Sequence, residues 1–337
     1  GKLYPVPLLS QEVIDAKMRE NKEKAMREYK NIFTTEGGND QIVKRAAIIR
    51  NSELRVPMLY NHEKSRIAIG YDPARQFDNS VATVGEIYFD EQVGYKMRLI
   101  NSVSFADIAK KKKTPMRIPE QMVILKQMIL DYNGNQAADY EHLDALLIDA
   151  GSGGGGVNIA DYFMEEWEDS NGNKHRGLID KVESVDYISK FPNAINKIKL
   201  LSPQKYKKQL FEALIEMMNL DLISFPETYD NKGMLIMNDS NLAEGEFKEK
   251  IHRLSFEEEM ALIQLDLAKE ELVSIYRFES SNGNCRYDLP PDKKNKMNDD
   301  RAYTIAMLAW RLQEIRRENI TNKKKTKTDI SNYVFFN

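Results

Sequence analysis

The chain holds one cysteine, two tryptophans and four histidines among 337 residues. A lone thiol, Cys285, excludes an internal disulfide framework and a clustered-thiolate metal site. A reducing, cytoplasmic setting is the expectation that follows. No apolar run reaches the roughly 18–20 residues of a membrane-spanning helix, and the first residues do not form a signal peptide. His62, His142, His175 and His252 are scattered without ligand spacing and read as structural or surface residues. There is no Gly-x-Ser-x-Gly for acyl chemistry, and Cys285 has no paired histidine context, so it reads as a core residue. Net charge is only −3, which leaves no global basic signature for a nucleic-acid partner.

What is present is ordinary for a globular protein, with 42% hydrophobic and 30% charged residues, in a chain long enough to bury a sizeable core. Local charge departs from the average in two runs, Lys110–Lys113 and Lys323–Lys325 with Lys327. Each reads either as a solvated segment or as a phosphate contact. Trp167, Trp310 and the Met-rich helices read as core packing.

The chain is organised around Arg66-Ile67-Ala68-Ile69-Gly70-Tyr71-Asp72-Pro73. A mostly apolar, β-favouring run ends in an acid, and Pro73 stops the strand because it has no N–H. Strands over 81–89 and 95–104 complete a three-stranded meander. A helix is expected over 120–132. A second buried strand over 143–149 again ends in an acid, Asp149, and the glycine-rich turn 151–156 follows it. Further on, the patterns predict a strand over 194–201, a helix from Pro203, a short strand over 222–226, a helix over 256–276, a strand over 285–290 and a helix from Asp299. Residues 1–55 read as a helical arm, with helices over 11–33 and about 40–51. Residues 319–337 read as a basic tail expected to be disordered.

Asp72, Asp149 and the pair Asp299/Asp300 are the acidic points that stand out. Singly, each has a plain role: an acid before a tight turn, or an acid in a first helical turn. Together, carboxylates without partner bases form the hard-oxygen donor set that Mg²⁺ or Mn²⁺ prefers. Two such ions roughly 4 Å apart suit phosphodiester hydrolysis.

The order Gly70-Tyr71-Asp72-Pro73-Ala74 with Asp78 close behind, Leu146-Leu147-Ile148-Asp149-Ala150-Gly151, and Met297-Asn298-Asp299-Asp300-Arg301-Ala302 resembles the nuclease domain of tailed-bacteriophage terminase large subunits. The resemblance covers roughly residues 56–318. It implies an α/β, ribonuclease H-like mixed sheet flanked by helices. It also implies two Mg²⁺ or Mn²⁺ ions held by Asp72, Asp149 and Asp300, with Asp299 and Asp78 as nearby candidates. The implied activity is endonucleolytic cleavage of double-stranded, concatemeric viral DNA during genome packaging, with little sequence preference. The implied partners are a portal protein, a small terminase subunit and a motor ATPase domain, at the procapsid in the host cytoplasm. Arg75, Lys110, Lys111, Lys112, Lys113 and Lys181 are the candidate DNA contacts. Leu8-Leu9-Ser10-Gln11-Glu12 and Arg27–Phe33 resemble the segment joining motor to nuclease, so 1–55 is expected to be a linker from a motor domain. No Gly-x-x-x-x-Gly-Lys-[Ser/Thr] is found, and the expectation is a piece of a longer protein. The stretch between the second and third acids is long for this pattern, which leaves the role of 220–290 open.

Two other readings stand beside it. Asp149 and its glycine-rich turn also resemble the phosphate-binding turn of actin-like and sugar-kinase ATPases. A single sheet module and a third acid opening a late helix disfavour that reading. The other is a non-catalytic docking module for portal or small terminase.

Overall fold

A computed structural model of the chain describes residues 40–333 apart from 74–79, 108–113, 135–138, 152–154, 231, 239–248, 280–284 and 295. The helix expected over 11–33 lies outside the described residues. A short helix α1 (Arg45–Arg50) and a two-residue strand β1 (Ser52–Glu53) come first, and Val43 and Ile48 anchor them in the core.

The meander follows as the apolar, β-favouring runs predict: β2 (Arg66–Asp72), β3 (Val81–Asp90) and β4 (Gly94–Ser104), each antiparallel to the one before. The β3–β4 turn is fixed by Asp90, whose Oδ1 accepts the backbone N–H groups of Gln92 and Val93 at 2.9 and 3.0 Å. Gly94 closes it at φ +85°, a conformation that costs glycine little.

Next come α2 (Ile118–Tyr132), β5 (Leu143–Asp149), α3 (Gly155–Met164), β6 (Ile198–Leu201), α4 (Pro203–Asn219) and β7 (Ile223–Pro226). The sheet runs in the order β1-β7-β4-β3-β2-β5-β6. β5 lies parallel to β2, and β6 parallel to β5. An antiparallel meander whose first strand is followed on its other side by two later strands, both parallel to it, is the ribonuclease H-like arrangement.

Both faces of the sheet are covered. On one, Ile67, Ile69, Tyr71, Leu146 and Ile148 pack against α2 and α3. On the other, Ala68, Leu99 and Leu147 pack against α4, α5 (Phe256–Leu272) and α6 (Asp300–Tyr333). Each fully buried Leu or Ile contributes about 1.5–3 kcal/mol.

Several expectations are corrected. The helix expected over 256–276 ends at Leu272, and Tyr276 instead opens a hairpin, β10 (Tyr276–Glu279) with β11 (Cys285–Asp288). Cys285 is half-buried there rather than in the core, and its Sγ accepts from Nε and Nη2 of Arg277 at 3.2 and 2.9 Å. The strand expected over 194–201 is split, because Ile195–Asn196 pairs with Leu178–Ile179 while only 198–201 joins the main sheet. The hairpin β8 (Met234–Asn238) with β9 (Glu249–Arg253) has no counterpart in the sequence patterns; Leu235 and Tyr229 seat it on Leu262 of α5. Helix α6 runs on through the first part of the 319–337 tail to Tyr333, and residues 334–337 lie outside the described residues. No glycine or proline follows Pro291 to stop that helix.

Candidate active site

Side chains alternate across a strand, and this alternation puts the first two acids on one face. In β2, Ile67, Ile69 and Tyr71 point into the core under α2 and α3. Ala68, Gly70 and Asp72 therefore point to the opposite face. A Cβ built on Gly70 would come within 2.7 Å of the Thr304 carbonyl oxygen, so α6 lies directly on that face. In β5, Ile148 shares the α2/α3 core and Leu147 the other, which turns Asp149 to the same side as Asp72. The register pairs Tyr71 with Ile148, so the two acids end adjacent parallel strands side by side.

Helix α6 brings the third acidic point by running antiparallel to β2. At the amino ends of the strands, buried Asp144 accepts from Nε of Arg66 at 2.8 Å and from Nε of Arg311 at 2.6 Å. Two turns back along α6, Thr304 sits over Gly70, and its Oγ1 lies 2.7 Å from Oγ1 of buried Thr83. The start of α6 must then lie at the carboxyl ends of β2 and β5. Asp299 immediately precedes the helix, its carbonyl accepting from Tyr303 N at 2.9 Å, and Asp300 is the first helical residue.

Tyr303 reports the resulting field. It is 5% exposed, and burial raises its ionisation far above the ordinary phenol range, with Asp149, Asp72 and Asp299 adding to the effect in that order. All three carboxylates thus bear on one buried phenol. Asp299 is the member of the helix-opening pair whose charge is felt there. Asp300 Oδ2 accepts from Asn298 Nδ2 at 3.2 Å. Burial also pushes the Asp149 carboxyl up to about 6, against the pull of the Lys207 ammonium and the Gly151 N–H.

Among the described residues, Asp149 Oδ1 and Tyr303 Oη are buried without a hydrogen-bond partner. Such groups are costly and rare, and each calls for an explanation. For Asp149 Oδ1, a cation is the natural missing partner. Among the described residues, however, no group of three or more His, Cys, Asp or Glu side chains is drawn together closely enough to form a ready metal cage. Asp72, Asp149 and Asp299/Asp300 are gathered at one strand edge but not closed around a point. As an all-oxygen donor set with one orphaned carboxylate oxygen, they match a hard divalent cation in the kind of donor they offer.

The remaining sequence candidates are not among these gathered acids as described. Asp78, Arg75 and Lys110–Lys113 lie outside the described residues, as do residues 152–154 of the glycine-rich turn. Lys181 is exposed on a loop whose backbone is tied to Asn196 Oδ1 at 3.0 Å. Two residues near the acids are absent from the sequence candidates. Lys207, on α4, lies 6.0 Å from the centroid of the Tyr303 ring, and nothing in its sequence surroundings signals that position. Tyr303 had a signal: it follows Asp299 by four residues on a predicted helix, one turn along the same face.

No family model matches the chain, and no curated protein is similar to it. Solved structures do match. The large terminase nuclease from thermophilic phage G20c with bound magnesium is 13% identical over 81% of this chain and 98% of its own, with a TM-score of 0.41. The large terminase from another thermophilic bacteriophage is 10% identical over 90% of this chain and 51% of its own, with a TM-score of 0.44. For the HK97 bacteriophage large terminase the figures are 9%, 90% and 50%, with a TM-score of 0.42. The chain thus spans about half the length of those two larger terminases. At such identities and scores, the fold assignment rests on the strand order itself. In that fold, the chain is similar to the nuclease domains of bacteriophage large terminases.

Proposed function

We propose that the chain is a divalent-metal-dependent endonuclease that cuts double-stranded DNA with little sequence preference, as the nuclease part of a viral genome-packaging terminase. The observation that carries this reading is the placement of Asp72 and Asp149, side by side at the ends of parallel strands, facing the helix start that bears Asp299 and Asp300. Asp72, Asp149 and Asp300 would hold two Mg²⁺ or Mn²⁺ ions, with Asp299 and Asp78 as further ligands. When bound, such ions activate water and stabilise the leaving oxygen in phosphodiester hydrolysis.

The chain's own residues do the rest. The Arg66–Asp144–Arg311 cluster fixes the tilt of α6, so the helix-borne acids return to one place over the strand tips. The Lys207 ammonium offsets part of the carboxylate charge that an incoming phosphate would meet. Tyr303, held protonated by burial, offers a hydrogen-bond donor and no charge. Lys181, with Arg75 and Lys110–Lys113, would contact the duplex backbone, which positions without specifying sequence. Packaging, and contact with portal, small terminase and a motor domain, belong to a longer assembly in the host cytoplasm.

The test is plasmid digestion in Mn²⁺, Mg²⁺ or chelator, comparing the native chain with Asp149→Ala and Asp300→Ala. Metal-dependent nicking and linearisation that both variants lose while still folded is the expected result. Digestion that survives in both would remove the carboxylates from the reaction.

A further inference from the structure

Helix α5, in the long stretch between the second and third acids, reaches the acid-bearing start of α6 through the buried side chain of Glu271. Glu271 lies in the last turn of α5, and its Oε2 accepts the backbone N–H groups of Arg301 and Ala302 at 2.8 and 3.1 Å. Its Oε1 accepts from Nη1 of Arg301 at 2.6 Å. The other edge of that guanidinium donates to Gln264 Oε1, from Nε at 2.9 Å and from Nη2 at 2.7 Å. The side chains of Arg301 and Glu271 are 9% and 5% exposed.

The first N–H groups of a helix have no partner inside it, and a residue just before the helix normally supplies one. Here a carboxylate from another helix takes two of them, thirty residues back in the chain, and its charge complements the positive end of the helix dipole. Those two N–H groups belong to the residues directly after Asp300. Gripping them fixes the backbone from which the Asp299 and Asp300 side chains leave.

Resting on the reading of these acids as a metal site, we infer that Glu271, with Gln264 and Arg301, is a positioning device. On this account α5 is a strut that sets the third acidic point at its working distance from Asp72 and Asp149. Arg301 is not a free cation, because Glu271 takes its Nη1 and Gln264 its Nε and Nη2. This gives the inserted stretch a role the sequence left open. The hairpin of β8 and β9 is seated on the same helix through Leu235 and Leu262.

The experiment is calorimetric titration of the full chain with Mn²⁺ alone, beside thermal melts in chelator. Glu271→Gln alone leaves Arg301 as a buried unmatched cation, so the principal variant is the double Glu271→Gln/Arg301→Gln, which removes both charges. Groups that orient metal ligands typically change affinity by about 10–100-fold. The double variant is expected to melt cooperatively and bind Mn²⁺ at least about tenfold more weakly. Ile129→Ala, a core truncation under the opposite face of the sheet, is expected to lower the melting temperature and bind Mn²⁺ as the native chain does. Should the double variant not fold, Gln264→Met loosens the same guanidinium and is expected to weaken Mn²⁺ binding in milder form. Native affinity in the folded double variant, or in Gln264→Met where that must stand in, overturns the inference. Equal loss in Ile129→Ala overturns it too, by tracing the effect to general stability. If the native chain itself takes up no Mn²⁺, the metal-site reading fails first and carries this inference down with it.

Discussion

At the scale of single residues, Asp149 holds the clearest tension in the molecule. Its carboxyl is pushed up to about 6 from an ordinary 3.8, first of all by burial. The native state therefore carries a proton that the unfolded chain has lost between roughly pH 4 and pH 6. The sign follows directly: the burial penalty is absent below about pH 4 and complete above about pH 6, so stability is lost as pH rises through that window. At 1.36 kcal/mol per pKa unit the full penalty is roughly 3 kcal/mol. Asp149→Asn removes the ionisable group. In chelator, urea denaturation should find this variant near native stability at about pH 4.5 and more stable by about 1–3 kcal/mol at about pH 8. A gap that does not widen with pH would show that the carboxylate is already compensated. The same variant should lose plasmid cutting, a trade of activity for stability that is common where acids are gathered for function.

At the scale of elements, the strand–helix contact at Gly70 decides whether the acids can meet. A side chain there would come within 2.7 Å of the Thr304 backbone oxygen, and backbone cannot swing aside. Gly85 on β3 is the useful contrast, since its Cβ would meet the Met97 Sδ at 2.7 Å, the far end of a flexible chain. Gly70→Val should destabilise by about 1–3 kcal/mol through overpacking, and should cut at least about tenfold more slowly because displacing reacting groups by an ångström is costly. Gly85→Ala should be near native in both urea denaturation and cutting. Equal behaviour of the two would mean that α6 adjusts freely over the sheet.

The elements also show what a sequence reveals. The boundaries of β2, β3, β4 and β5 are legible because a continuous apolar, β-favouring run is a local property and Asp72-Pro73 and Asp90 are local stops. The facing of Asp72 and Asp149 follows from the alternation of side chains along a strand once strand register is known. What stays hidden is non-local. Glu271 capping Arg301 and Ala302, Asp144 clamping Arg66 and Arg311, and Lys207 beside Asp149 join residues far apart in the chain that no periodicity connects. The β8–β9 hairpin escapes a sequence reading because its strands, Met-Leu-Ile-Met-Asn and Glu-Lys-Ile-His-Arg, show no clean two-residue alternation.

At the scale of the whole molecule, 49 basic against 52 acidic residues give no field that would draw a polyanion from a distance. On the proposed function, attraction for a duplex would come from cations held at the acid-bearing edge. The loop that carries Lys181 is held by a buried anchor. Asp180, 2% exposed, accepts the N–H groups of Val182 at 2.9 Å, Glu183 at 3.3 Å and Leu200 at 2.8 Å, which locks the loop to β6. The next residue, Leu201, pairs with Asp149 across the sheet. Lys205 stands nearby, but its ammonium lies 2.8 Å from Glu183 Oε1, so part of its charge is already matched. If Lys181 meets a phosphate, its removal frees one counterion fewer on binding. Lys181→Ala should therefore lower the slope of log affinity against log salt by about 1, and weaken binding equally across duplex sequences. Lys205→Ala should change the slope by less, because Glu183 is left behind as an unmatched charge rather than a vacant phosphate contact. Anisotropy of a labelled duplex in chelator, titrated with salt, measures both slopes without cutting. An unaltered slope for Lys181→Ala would move the duplex away from this edge, and with it the geometry by which a phosphodiester could reach Asp149.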